Sequence, residues 1–175
     1  MAKPLLVICM GVAGSGKTTL AERIAARFAW RFIDADSFHS ALARSRMASG
    51  IPLTDADRTP WMQRITTHLY ELAGLGTHCV LAHSALRHTH REALRQCGFD
   101  ACFLRLHCDA EILRARLERR ESHFMPANLL ASQMQAFEPT DGEADVVRLD
   151  AQHSPPRLVE LAANIIATFR GSSYA

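Results

Sequence analysis

The stretch GVAGSGKTT at 11–19 follows directly on the apolar run PLLVICM at 4–10. No other feature restricts the fold as strongly. A short apolar run closed by glycine reads as a buried strand. Beyond it, Leu20, Ile24 and Phe28 recur every four residues while Glu22, Arg23 and Arg27 take the opposite side, the pattern of an amphipathic helix. Between the two, glycines permit left-handed backbone angles, so successive N–H groups can turn inward around an anion at the positive end of the helix dipole. A strand buried on both faces and followed by a helix belongs to a parallel sheet covered on both sides.

The rest of the chain repeats the alternation. RFID (31–34), CVLA (79–82), ACFLRL (101–106) and DVVRL (145–149) are four further strands, with a polar region from the second strand to Asp57. Trp61, Ile65, Leu69 and Leu72 give a helix with Pro60 in its first turn and Gly74 and Gly76 as its stop. Asp109 can cap AEILRARLERR, and Pro126 opens a helix through Leu129, Leu130, Met134 and Phe137. Ser154 and Pro155 start a last helix carrying Leu158, Leu161, Ile165 and Phe169. The expectation is an α/β chain, one domain over 1–175, with a five-stranded parallel sheet flanked by helices. Ligands of such sheets bind beyond the carboxyl ends of the strands, so functional residues are sought there.

Gly11, Gly16, Lys17 and Thr18 fit G-x-x-x-x-G-K-[ST]. The loop residues Gly11, Ala13, Gly14, Ser15, Gly16, Lys17, Thr18 and Thr19 are expected to bind ATP through its phosphates, with the Thr18 hydroxyl on Mg²⁺. Lysine at 17 is telling: of the 20 Lys and Arg residues only Lys3 and Lys17 are lysine. A guanidinium is larger and planar, so lysine stays where a compact charge must reach the β and γ phosphates. After the second strand, Asp34 and Asp36 lie two apart and in an extended chain point the same way. Phosphoryl transfer needs carboxylates to hold Mg²⁺ through water and to take the proton of the attacking hydroxyl. His39 lies near enough to hydrogen-bond a substrate. On the helix after the fourth strand, Arg116 and Arg120 are four apart and share a face, placed to offset charge on a migrating phosphoryl group. HSALRHTHR (83–91) has three histidines with no carboxylate or thiol at a familiar metal spacing, and its Arg87 and Arg91 share a helical face that could meet an anionic substrate.

Bulk properties narrow the partners. A net charge of +2 makes no case for a nucleic acid or a membrane surface. No apolar stretch approaches the roughly 20 residues of a bilayer span, and the short N-terminal apolar run lacks a signal-peptide cleavage site. Five cysteines without a C-x-x-C pair suit reduced, buried thiols in the cytosol.

GVAGSGKTT, WRFIDADSFH, RMASGIPLTDADRTPW, HSALRHTHR and ESHFMPANLLASQMQAFE together resemble the gluconokinases, among the small P-loop kinases, in order and spacing over nearly the whole chain. MASGIPLTDADRTPW and HFMPANLLASQ are far more specific than the phosphate loop itself. The resemblance implies a three-layer, shikimate-kinase-like P-loop kinase fold with a small helical lid near 120–137. It implies ATP- and Mg²⁺-dependent phosphorylation of the sugar acid D-gluconate at its terminal hydroxyl, giving 6-phosphogluconate, by a cytoplasmic homodimer. By the same likeness Asp36 is the base, Asp34 the magnesium organiser, and Lys17 and Arg120 the charges that meet the γ-phosphoryl. His39, Arg58, Arg87, Arg91 and the SALR helix belong to the sugar-acid pocket, and Arg120 and His123 to the lid. Ala35, His83, Arg87, His90, Glu121 and Ser122 depart from the family pattern, so another aldonic or short sugar acid is an alternative acceptor. A nucleotide kinase and a nucleotide sensor without turnover are the other readings. Aromatics at 7% suit a base-stacking pocket poorly, and intact Lys17, Thr18, Asp34 and Asp36 speak against a sensor.

Overall fold

A computed structural model of the chain describes residues 3–119 and 128–172. Strands β1 (Leu5–Met10), β2 (Arg31–Asp34), β3 (Cys79–Ala82), β4 (Asp100–His107) and β5 (Val146–Asp150) form one parallel sheet in the order β2-β3-β1-β4-β5. β1 is central, with Cys9 opposite Ala82 on one side and Leu104 on the other. Helices α1 (Lys17–Phe28), α2 (Ala41–Ala48), α3 (Asp55–Gly74), α4 (His88–Arg95), α5 (Ala110–Glu118), α6 (Asn128–Ala136) and α7 (Pro155–Ser172) complete the described elements, with a 3₁₀ turn at Ala35–Phe38.

The alternation of side chains along β1 builds two cores. Leu5, Val7 and Cys9 face a cluster closed by Leu20 and Ile24 of α1, Leu113 of α5 and Ile166 of α7. Leu6, Ile8 and Met10 face the opposite cluster, closed by Trp61, Ile65 and Leu69 of α3 and Leu94 of α4. Every residue of β1 and β3 is buried, which is why these strands read as continuous apolar runs. All five cysteines are free and buried, and burial pushes the Cys102 thiol up to about 12, so it stays protonated.

Several local expectations are corrected. The helix expected to carry Pro60 in its first turn begins already at Asp55, because Thr54 and Asp57 form a capping box; Pro60 therefore sits in the second turn. The polar region before it contains a helix, α2, capped by Ser40, whose side chain accepts from Ala43 N–H. The SALR segment is not helical: α4 starts only at His88, with Arg87 in extended conformation as its cap residue. Asp109 stands at the N-cap of α5 without a side-chain hydrogen bond.

Candidate active site

At the carboxyl ends of β1, β2 and β3 lies a cavity of about 530 Å³. Its floor is the phosphate loop. Gly11, Gly14 and Gly16 all have positive φ, at 144°, 79° and 96°. A Cβ on Gly11 would stand 2.7 Å from Leu106 O, so this glycine is needed for close passage of the loop over β4. A Cβ on Gly16 would meet nothing within 4 Å, so open space lies directly above its backbone. Ala13, Gly14, Gly16, Lys17, Thr18 and Thr19 line the cavity, whereas Gly11 and Ser15 sit behind its wall. Lys17 Nζ donates to Val12 O at 2.9 Å, which folds the ammonium back over the loop.

Facing the loop are Asp34 and Asp36. The expected extended geometry does not hold between them. Asp34 Oδ1 accepts Asp36 N–H at 3.0 Å and so caps the 3₁₀ turn that carries Asp36. Both carboxylates nonetheless reach the same cavity, and the Asp36 side chain is 69% exposed, 3.9 Å from His39 Nε2. Ala35, where the family pattern has glycine, has no positive φ and packs its methyl in the second core, so nothing at that position requires glycine.

Another wall of the cavity is a stack of rings. Trp61 is sandwiched between His39 (centroids 4.5 Å apart, planes at 8°) and His83 (4.7 Å, 15°), and His90 meets both Trp61 and His83 edge-on at 6.1 Å. Trp61 Nε1–H donates to Ala35 O at 2.7 Å, fixing the sandwich to the aspartate turn. Burial, aided by Arg64 and Arg44, lowers the His39 pKa to about 4, and burial holds His83 neutral as well. His39 Nδ1 is buried with no hydrogen-bond partner among the described residues. His83 is spoken for, because its Nδ1 accepts Ala85 N–H at 2.8 Å. Among the described residues no group of three or more His, Cys, Asp or Glu converges on a metal position.

The arginines divide sharply. Arg58 and Arg87 line the cavity and are both drawn to Asp55, at 2.9 and 3.7 Å, and Arg87 also donates to Glu138 Oε1 at 3.2 Å. Arg91, expected beside Arg87, is fully buried elsewhere. It pairs with Glu143 at 2.6 Å and donates to Ala85 O, Leu86 O and Pro139 O. Every donor that matters for an acceptor is taken, so Arg91 is withdrawn from the pocket. Arg116 donates to Ala151 O at 2.8 Å, tying α5 to the segment after β5, and does not line the cavity. Arg120 and His123 lie outside the described residues.

Other lining residues were not anticipated. Arg44 of α2 reaches the cavity and donates to His39 O. Gln133 of α6 crosses it, its Oε1 accepting Ala13 N–H at 2.7 Å. Gln133 lies in HFMPANLLASQ, whose specificity was the available signal; nothing in the sequence pointed to Arg44.

Comparison with known proteins agrees with this geometry. The profile of the AAA domain family matches residues 6–140. A thermosensitive gluconokinase of Escherichia coli (strain K12) is 38% identical over 93% of this chain and 88% of its own length. The chain belongs to the gluconokinase family. A gluconokinase of Gluconobacter oxydans (strain 621H) is 39% identical over 90% of this chain and 89% of its own. A gluconokinase structure from Sinorhizobium meliloti 1021 superposes with a TM-score of 0.87 at 32% identity, covering 99% of this chain and 98% of that one. Within the gluconokinase frame, the departures His83, Arg87 and His90 all line the cavity, while the phosphate loop keeps its pattern.

Proposed function

We propose that this chain phosphorylates D-gluconate at its terminal hydroxyl with ATP. One observation carries the transfer chemistry: the glycine-cradled phosphate loop and the exposed carboxylate of Asp36 line the same cavity; gluconate as acceptor follows the gluconokinase relatives. The loop amides and the α1 dipole bind the phosphate tail, and Lys17 swings from Val12 O to the β and γ phosphates. Asp36 accepts the hydroxyl proton as the acceptor oxygen bonds to the γ-phosphorus and the bond to ADP breaks. Arg120, by its place in the sequence, adds charge stabilisation to the moving phosphoryl group. Neutral His39 lines the cavity beside Asp36 and hydrogen-bonds a sugar hydroxyl there. Arg58 and Arg87 receive the carboxylate, exchanging their contacts with Asp55 for it.

Hydroxyl and carboxylate oxygens are the donors that a hard cation takes, and Thr18 and Asp34 both line the phosphate end of the cavity. They would hold Mg²⁺, which when bound screens the triphosphate charge. The same proposal includes a cytoplasmic homodimer, following the family resemblance, which light scattering and cell fractionation test. No helix among the described residues is long and apolar enough to cross a membrane.

The test is ATP-dependent phosphate transfer to a panel of gluconate, other aldonic acids and nucleoside monophosphates. Gluconate is expected to give the highest kcat/KM, and Asp36→Asn to lower turnover by orders of magnitude with ATP affinity little changed. Transfer to a nucleotide in preference to every sugar acid would overturn the acceptor, and an Asp36→Asn rate within a few-fold of wild type would remove Asp36 as base.

A further inference from the structure

The turn between β3 and α4 carries a conformation that needs an explanation. Ala85 has φ 47° and is fully buried. An L-residue in the left-handed region is unfavourable and persists only where its surroundings enforce it. Here the enforcement is complete from residue to residue. Ser84 O accepts Gly11 N–H at 3.2 Å, which anchors the turn to the phosphate loop. Ala85 N–H donates to His83 Nδ1 at 2.8 Å. Arg91 Nη1 donates to Ala85 O at 3.0 Å and Leu86 O at 3.1 Å, and Glu138 N–H donates to Leu86 O at 2.8 Å. Beyond the turn, the Glu138 carboxylate accepts from His88 N–H and from Arg87 Nη1. Besides His83 itself, what this scaffold presents to the cavity is Ser84, Leu86 and Arg87.

His83, like Arg87, departs from the family pattern. A ring nitrogen that accepts Ala85 N–H carries no proton, which places the proton on Nε2, 3.2 Å from Met62 Sδ. The ring cannot swing away, since Trp61 covers one face and His90 meets it edge-on. We propose that His83 is a positioning residue for the acceptor: by holding the Ala85 amide through Nδ1, it locks the left-handed turn that presents Ser84 and Arg87 to the sugar acid. This rests on the cavity's acceptor side being a gluconate site, but the hold on the turn can be read without any acceptor.

Three variants test it: His83→Leu, His83→Asn and Ala85→Gly. Asparagine places Oδ1 near the position of the lost Nδ1 while removing the imidazole, so it separates the hydrogen bond from the ring stack. His83→Leu is expected to raise the gluconate KM about 2- to 12-fold, the worth of one neutral hydrogen bond, with the ATP KM within twofold. His83→Asn is expected to recover most of that loss. Ala85→Gly is expected to raise the gluconate KM with an equal or higher Tm, because glycine removes the strain and loosens the turn. Amide exchange at Ala85 supplies the acceptor-independent readout, faster in His83→Leu than in His83→Asn. Equal impairment and equal exchange in the two His83 variants would overturn the proposal, as would an unchanged gluconate KM in both His83→Leu and Ala85→Gly. If His83→Leu does not fold, exchange at Ala85 in His83→Asn against wild type decides: retained protection supports the bond and lost protection overturns it. A wild type that ignores gluconate refutes the acceptor and leaves the exchange comparison standing.

Discussion

Two glycines of the phosphate loop separate what the loop contributes to folding from what it contributes to binding. Gly16 has φ 96°, and an added Cβ meets nothing within 4 Å. In Gly16→Ala the only cost to the unbound fold is the left-handed penalty of about 1–2 kcal/mol. The space the methyl enters is the space a phosphate oxygen must enter, and each charge-assisted amide hydrogen bond blocked there removes about 1.5–3 kcal/mol of binding. Affinity for a non-hydrolysable ATP analogue should therefore fall at least about tenfold. Gly11 is the converse. Its φ is 144°, and an added Cβ stands 2.7 Å from Leu106 O and 2.9 Å from Ser15 Oγ, the first of them backbone of the central sheet. Strain plus that clash puts the stability cost of Gly11→Ala at about 2–5 kcal/mol. Urea unfolding gives the stability of each variant and calorimetric titration with the analogue gives affinity. If Gly16→Ala bound the analogue within twofold of wild type, the open space above Gly16 would not be the phosphate seat, and the kinase assignment of the loop would fail with it.

Lys17→Ala should reduce turnover at least a thousandfold while shifting unfolding free energy by no more than about 2 kcal/mol, since its Nζ bond to Val12 O is one partly buried hydrogen bond; steady-state rates and urea melts check both. Asp55→Asn should lower the gluconate KM by about 2- to 30-fold, because it frees Arg58 and Arg87 from an exposed carboxylate whose two pairs are worth roughly 0.2–1 kcal/mol each; a raised KM would mean that Asp55 orients the arginines instead of competing for them. The His39 pKa is about 4 in the fold against 6.5 when unfolded, so below pH 6.5 the unfolded chain binds a proton that the folded one refuses. Stability is then full above pH 6.5 and falls as pH drops toward 4, by about 1–3 kcal/mol from this residue, and His39→Gln should flatten the slope of urea-melt stability between those values.

The phosphate half of the site was legible in the sequence because its physics is local. Strand, glycine turn and helix are consecutive, and each residue type answers to its immediate neighbours: Gly11 to the backbone of β4, Gly16 to open space, Lys17 to Val12 O. The same locality made the sheet readable, since β1 and β3 are buried along their full length. Boundaries failed where a side chain competes with the backbone pattern. The Thr54–Asp57 capping box moved the start of α3 past a proline that had looked like its first turn, and Asp34 turned the following residues into a 3₁₀ turn by capping Asp36.

The rest of the cavity resisted because partners distant in the sequence build it. Trp61 joins His39 and His83 into one stack from three separate segments of the chain, and no spacing rule connects those positions. Helical spacing made Arg87 and Arg91 look like a pair aimed at one anion, an inference that needs both residues inside one helix. The chain instead passes through its left-handed turn at Ala85 and starts α4 only at His88, and the two guanidinium groups take different partners. One stays at the cavity between Asp55 and Glu138; the other is buried against Glu143 and the carbonyls of the turn. That division fits the proposed reaction. A guanidinium that binds an incoming carboxylate must be able to leave its resting partners, which the partly exposed contacts of Arg87 permit and the buried, fully used donors of Arg91 do not. Arg91 holds the shape of the turn so that Arg87 can be free to exchange.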